Sequence, residues 1–351
     1  MRVGFGKKTL DVEVPASLAG YNKTREAHQY DNNLELHCLT LEYDGKLFHF
    51  VSADILGIDQ NIVTDVQYMY PDDVLLIAAT HTHNGPGGLW MPNHAVLKNY
   101  DNVVKKFDAY QTYLLKDELV QVIRLAIEDL QELKSVSVLK TEVEGVATNR
   151  NDKTRKGDNR LIAYQYITEH KQYLWVTFAN HPTVLNDSYE MLHPDFVGPF
   201  REALNRYDGV VYFNGAAGDI STRFTRVESS IEETKRMGEL LASNIVEASF
   251  DNIENLSISH KKEIYEVQLK DDRLFNLKLD KLQMNDITFV GFPLELNSEL
   301  IQEYKDKYFI SYLNDYLMYG AQIASYRLQE YEAFMSPFKE GEMERILKEA
   351  L

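Results

Sequence analysis

Two histidines one residue apart, His81 and His83, stand where an apolar run breaks into small residues: "VLLIAATHTHNGPGGLW", residues 74–90. Paired imidazoles at a strand end can serve a metal ion or a developing oxyanion, or can simply bond nearby carbonyls in a turn. In extended chain, residues i and i+2 point to the same side, so the two rings are expected to converge on one point. Other polar residues stand in the same position, each behind a buried run. "YLWVTFANHPTVLND" delivers His181, "GVVYFNGAAGDIST" delivers Asp219 and Ser221, and "DITFVGFPLELNSEL" delivers Glu295, read as opening a helix. A tyrosine-rich stretch, "SYLNDYLMYGAQIASYRLQEYEAF", adds Tyr312, Tyr316, Tyr319, Tyr326 and Tyr331. Aromatic residues at helical spacing ordinarily pack a core, but five phenolic hydroxyls need partners if buried.

The elements that must position these groups alternate between strand and helix. Val74–Ala79 reads as a buried strand, and "LELHCLTLEYDGKLFHFVSADIL" as a hairpin turning at Asp44-Gly45. A helix is predicted over 105–133, others over 197–207 and 231–248, with further strands at "SVSVLKTEV", "LIAYQYI", "EIYEVQL" and "LFNLKLDKLQM". The class is therefore α/β, a single domain over 1–351 with mixed β-sheets flanked by α-helices. No composition break or fixed-period repeat divides it.

Charge narrows the partners. Lys and Arg total 37 against 54 acids, a formal net charge of −17, which argues against a nucleic-acid or anionic-lipid surface as partner. No stretch approaches the roughly 20 apolar residues of a membrane-spanning helix, so no integral membrane association is expected. Cys38 is the only cysteine and reads as a buried strand thiol. With no signal-peptide pattern at the start, the expected setting is cytoplasmic; oligomeric state is not legible.

In combination these segments resemble the neutral/alkaline (non-lysosomal) ceramidases, zinc-dependent amidases of sphingolipid metabolism, and their shorter bacterial relatives. The resemblance runs in order through "VGFGKKTLDVEVPASLAGY", "VSADILGI", "THTHNGPGG", "TNRNDK", "NHPTVL", "FNGAAGDIS", "GFPLE" and "NDYLMYGAQIASYRLQEYEA". It implies the family's catalytic domain, without its C-terminal immunoglobulin-like domain. It implies Zn²⁺ on His81, His181, Glu295 and Tyr319, with His83 and Tyr331 at the scissile carbonyl. Arg150 matches the family's Asn-Arg motif and would anchor substrate, and Ser221 matches a serine read either as nucleophile or as substrate-orienting hydroxyl. Asp54 is expected to orient a ligand histidine, while His94 and His193 are read as outside the ligand set.

The implied reaction is attack of a metal-activated water on the carbonyl of an N-acyl amide. The rivals are an esterase, lactonase or deacylase of a small non-sphingolipid substrate on the same site, and a non-catalytic binding protein on the same fold. The chain departs from the family pattern at "GDISTRF", where Thr222 and Arg223 replace the usual Pro-Asn, and at Leu294, which replaces a glycine. These departures bear on the substrate groove and leave the implied metal ligands intact.

Overall fold

In the computed structural model, which describes residues 1–351, three sheets repeat one topology. In the first, Arg2–Thr9, Glu35–Tyr43 and Lys46–Ala53 run antiparallel in turn, and Val74–Ala79 then joins Lys46–Ala53 in parallel. In the second, Ser135–Glu142, Arg160–Ile167 and Gln172–Phe178 do the same, with Gly209–Asn214 as the parallel fourth strand. The third uses Ile258–Gln268, Leu274–Met284 and Ile287–Gly291, with Lys307–Ile310 in parallel. Short edge strands, Gln131–Glu132 and Asp251–Ile253, extend the first two sheets. The mixed-sheet α/β class expected from the sequence is the observed one.

One face of each sheet contributes to a shared core, where Phe50 and Leu76 of the first meet Tyr164, Trp175 and Phe213 of the second and Phe289 and Ile310 of the third. The opposite face of each sheet is covered by its own helices. Ala109–Glu128 and Gln60–Met69 cover the first, Val197–Ala203 and Ile231–Val246 the second, and Glu342–Ala350 the third. Such double coverage explains why strands like Val74–Ala79 are apolar throughout instead of alternating. Strand Arg2–Thr9 approaches the long helix so closely that a Cβ on Gly4 or Gly6 would fall 2.2–2.3 Å from the carbonyl oxygens of Ala126 and Val122.

Several expectations shift in detail. The helix predicted over 105–133 spans Ala109–Glu128, because the Asp108 carboxylate caps it by accepting from the Tyr110 and Gln111 amides. Glu295 opens no helix; it lies in a two-residue strand, Glu295–Leu296, paired in parallel with Tyr319–Gly320. Tyr312–Tyr319 is likewise not helical, since Tyr312, Asn314 and Met318 all take positive φ and fold the segment into turns. The Asp44-Gly45 hairpin and the buried Cys38 stand as expected. No helix is long and apolar enough to cross a membrane.

Candidate metal centre and active site

Each sheet's parallel strand pair ends at the same place, and the candidate residues follow those ends. His81 comes two residues after Val74–Ala79, and His181 three after Gln172–Phe178. Glu295 comes four residues after Ile287–Gly291, and Tyr312 two after Lys307–Ile310. Open α/β sheets place their ligand sites at such carboxyl ends. Backbone bonds tie the three ends together: the Ser311 amide donates to the Asn214 carbonyl at 2.9 Å, and that of Asn314 to Ile77 at 2.8 Å.

His81 and His83 do converge, but not through extended chain. His81 has φ +73°, a left-handed kink that swings its ring inward. His81 Nε2 lies 3.2 Å from His181 Nε2 and 3.3 Å from His83 Nε2. Glu295 Oε2 lies 3.5 Å from His81 Nε2 and 3.3 Å from His181 Nε2. All four residues are buried. His81 Nδ1 donates to the Leu56 carbonyl at 2.6 Å and His181 Nδ1 to that of Ala217 at 2.9 Å. A carbonyl only accepts, so both neutral rings turn bare Nε2 lone pairs toward each other. Glu295 Oε2 has no donor either, while Oε1 accepts from the Tyr316 hydroxyl at 2.6 Å.

Three facing acceptors in a buried space repel one another unless a cation or protons lie between them. Ligand atoms at about 2.0–2.2 Å around a tetrahedral zinc stand roughly 3.3–3.6 Å apart, a spacing compatible with the one observed. Fixing of Nδ1 by a carbonyl is also the usual support of a metal-bound histidine. Without an ion, burial works against ionising Glu295, and its carboxyl is held down, to about 2, chiefly by a proton on the facing His81 and His181 rings, so the cluster needs positive charge from one source or the other. Burial, with Arg150 and His81 nearby, holds His181 down to about 3.

His83 differs from the other two rings. Its Nδ1 is buried with no partner, so no carbonyl locks that side. It rests between Tyr21, at 4.7 Å ring to ring, and Gly20, where φ is +95° and a Cβ would come within 2.4 Å of the imidazole. The Tyr319 ring is parallel to that of His181 at 6.5 Å. The Arg150 guanidinium lies 5.3 Å from the Tyr319 ring and 5.6 Å from that of Tyr331. These groups border a cavity of about 520 Å³, also lined by Ser221. Tyr331 is 47% exposed and sits at its rim.

Arg150 is paired on one side and free on the other. Its Nε is paired with Glu332 at 2.6 Å, while Nη2 is buried without a partner. Ser221 Oγ accepts only the Arg223 amide, at 3.2 Å, and is hydrogen-bonded to no base. Asp219 braces the neighbouring loops, accepting from Asn149 Nδ2 and the Ser298 amide. Asp54 corrects an expectation: it orients no histidine, since its carboxylate is taken by Arg201, Thr80 Oγ1 and the Glu35 amide. His94 and His193 lie outside the cluster. His94 meets Asp59 and Asp315 in a second carboxylate–imidazole group, but its Nδ1 accepts the Val96 and Leu97 amides and its Nε2 faces Asp315. That group is satisfied internally. Tyr316, which holds Glu295, and Tyr312, which stacks on His81 at 4.1 Å, were visible in the sequence only as members of a tyrosine cluster. Arg226, on the cavity wall, had no sequence signal.

No protein-family model matches the chain, and no curated protein does. Solved structures do. The neutral ceramidase from Pseudomonas aeruginosa superimposes with a TM-score of 0.81 at 14% identity, over 100% of this chain and 75% of that one. A ceramidase complexed with C2 gives 0.80 at 14% identity, with the same coverage. The chain therefore has a neutral ceramidase-like fold over its whole length, as its motifs suggested. Identity this low carries the fold and not the activity.

Proposed function

We propose that this chain is a zinc-dependent amidohydrolase that cleaves N-acyl amides, residues 1–351 forming one catalytic unit with His81, His181, Glu295 and Tyr319 as metal ligands. The observation that carries the reading is the buried set of bare acceptor atoms, His81 Nε2, His181 Nε2 and Glu295 Oε2, within 3.5 Å of one another. When bound, zinc would polarise a carbonyl and lower the pKa of water to about 7. The ceramidase neighbours favour a lipid-like amide as substrate. The lone, buried Cys38 accords with a cytoplasmic setting.

The chain's own groups supply the remainder. His83 Nε2 borders the cluster and, as an Nε2–H tautomer, can donate to the amide oxygen as charge develops there. The Tyr331 hydroxyl can do the same from the rim. Each such donor is worth about 2.7–4 kcal/mol where measured. The proton then passes to the leaving nitrogen from His83 or Tyr331. Arg150, held on one side by Glu332, offers its free Nη2 to a substrate oxygen. Ser221, with no base hydrogen-bonded to its hydroxyl, acts as an orienting group. A second, apolar hollow of Tyr326, Ala333 and Phe334 adjoins Tyr331 and offers a surface for the acyl part.

Metal content of the purified protein, with hydrolysis of a panel of N-acyl amides and esters before and after chelation, tests this. About one zinc per chain, a single site, and chelator-sensitive amide cleavage are expected. Cleavage of esters alone replaces the amidase reading with an esterase. If wild type and His81→Ala are both metal-free and both inactive on the whole panel, the hydrolase reading falls and the binding-protein reading replaces it.

A further inference from the structure

Three arginines, Arg150, Arg223 and Arg226, line the cavity of a chain in which acids outnumber bases. Most arginines in this acid-rich protein pair with carboxylates, among them Arg155 with Glu299 and Glu330, Arg160 with Asp158, and Arg201 with Asp54. Arg223 and Arg226, both on the cavity wall, pair with none. Arg223 Nη1 reaches only the Arg150 carbonyl, at 3.4 Å. Arg226 Nη1 donates to the Thr183 and Val184 carbonyls, the latter at 3.1 Å. A tight turn fixes both residues: the Thr225 and Arg226 amides donate to the Thr222 carbonyl at 3.0 and 2.8 Å, and Thr225 Oγ1 to that of Val146 at 2.7 Å. Beside them lies the buried, unpartnered Nη2 of Arg150. The acids on the same wall are Glu295, within the histidine cluster, and Asp187, which faces Lys23 at 4.0 Å.

We infer that the cavity takes an N-acyl amide bearing a carboxylate, an N-acyl amino acid, with Arg223 and Arg226 reading the anion. This deepens the amidohydrolase reading and rests on it for the chemistry, though not for the binding. The guanidinium fork suits a carboxylate, and a chain of net charge −17 would repel such an anion everywhere but at a locally positive wall. A volume of about 520 Å³ fits one small molecule. The wall's other members include Asn22, Thr183 and Asn186, polar groups poorly suited to a second alkyl chain. In the reaction, water oxygen bonds to the acyl carbon and the carbon–nitrogen bond breaks. The nitrogen takes up the protons, so the products are a carboxylate and an amino acid.

The test is a matched pair, N-octanoylglycine and its neutral counterpart N-octanoylglycinamide. Dissociation constants come from calorimetry and kcat/KM from amine release, for wild type, Arg223→Gln and Arg223→Glu. Arg223 is exposed, so neither substitution threatens folding. Wild type is expected to favour the carboxylate by about tenfold or more in Kd, roughly 1.4 kcal/mol, and less so as salt rises from about 0.05 to 0.5 M. The preference should fall toward unity in Arg223→Gln and invert in Arg223→Glu. Equal affinity for the pair, or a preference that Arg223→Glu leaves intact, overturns the inference even if amides are cleaved. Preferential binding with no cleavage of either upholds the anion site and overturns the N-acyl amino acid as substrate. Neither binding nor cleavage overturns the inference whole, and the amide panel then decides the hydrolase reading separately.

Discussion

Glu295 is a buried carboxylate with one oxygen bonded and the other bare, which a fold holds only at a cost unless something else completes it. Tyr316 supplies the bonded side, and His81 and His181 flank the bare one. Substituting Tyr316→Phe removes one hydroxyl and keeps the ring that packs near His81 and Trp90. If Glu295 is a ligand, its orientation depends on that hydroxyl, and zinc affinity should fall by about 10–100-fold. Competition with a chromophoric chelator reads this directly. An unchanged affinity would remove Glu295 from the ligand set. At this scale the positions of His81, His181 and Glu295 were legible in the sequence, because each stands just past an apolar run, whereas Arg150, Tyr319 and Tyr331 were named only through the resemblance. Tyr316 was not legible, because nothing local distinguishes a tyrosine that braces a carboxylate from its neighbours in a cluster of five.

Among the elements, the helix Ala109–Glu128 carries a titratable group on its buried face. Glu118 sits among Leu115, Leu119 and Val122, and its Oε1 accepts the Asp11 amide at 3.0 Å. Burial pushes its carboxyl up from 4.5 to about 7, against the Asp11 amide bond that favours ionisation. Below pH 4.5 Glu118 is protonated whether the chain is folded or not, so it leaves stability unaffected. Between there and neutrality the unfolded chain ionises first, and stability falls as pH rises until it levels off above the folded value. Glu118→Gln keeps the acceptor for Asp11 and removes the titration. Its stability relative to wild type should rise on the order of 1–3 kcal/mol between about pH 5 and 8, measured by urea denaturation at each pH. A flat difference would mean the carboxyl is solvated in the folded chain. The helix itself was legible in sequence to within five residues, since its apolar period runs along one face. Glu295–Leu296 was not: its pairing with Tyr319–Gly320 joins residues more than twenty apart, and an acid after proline reads locally as a helix start. The turns at Tyr312, Asn314 and Met318 escaped for a similar reason, because positive φ at non-glycine residues is imposed by tertiary packing.

For the whole molecule, the telling feature is that no one sheet owns the site. His81 follows the first sheet, His181 the second, and Glu295 and Tyr319 the third, each past the carboxyl end of a parallel pair. The threefold recurrence of that topology left no periodic sequence signal, because the connections between the parallel strands differ in length and in kind: a ten-residue helix, a seven-residue helix and a single 3-10 turn. An ion held by these residues would act as a cross-link among three sheets that otherwise meet through the shared apolar core and a few backbone bonds. It would bind the folded chain and not the unfolded one, in which the ligands lie up to 238 residues apart between His81 and Tyr319 (319 − 81). Free zinc at 1,000 times its Kd should then add about 4.1 kcal/mol to stability, enough to raise Tm by several degrees. Scanning calorimetry of the chelated and zinc-loaded protein measures the difference. In His181→Ala most of it should vanish, whatever that variant's own metal-free stability, because the comparison is made within each variant. A zinc-dependent rise in Tm that His181→Ala keeps in full would place the ion elsewhere and leave the three-sheet convergence without the metal argued for it.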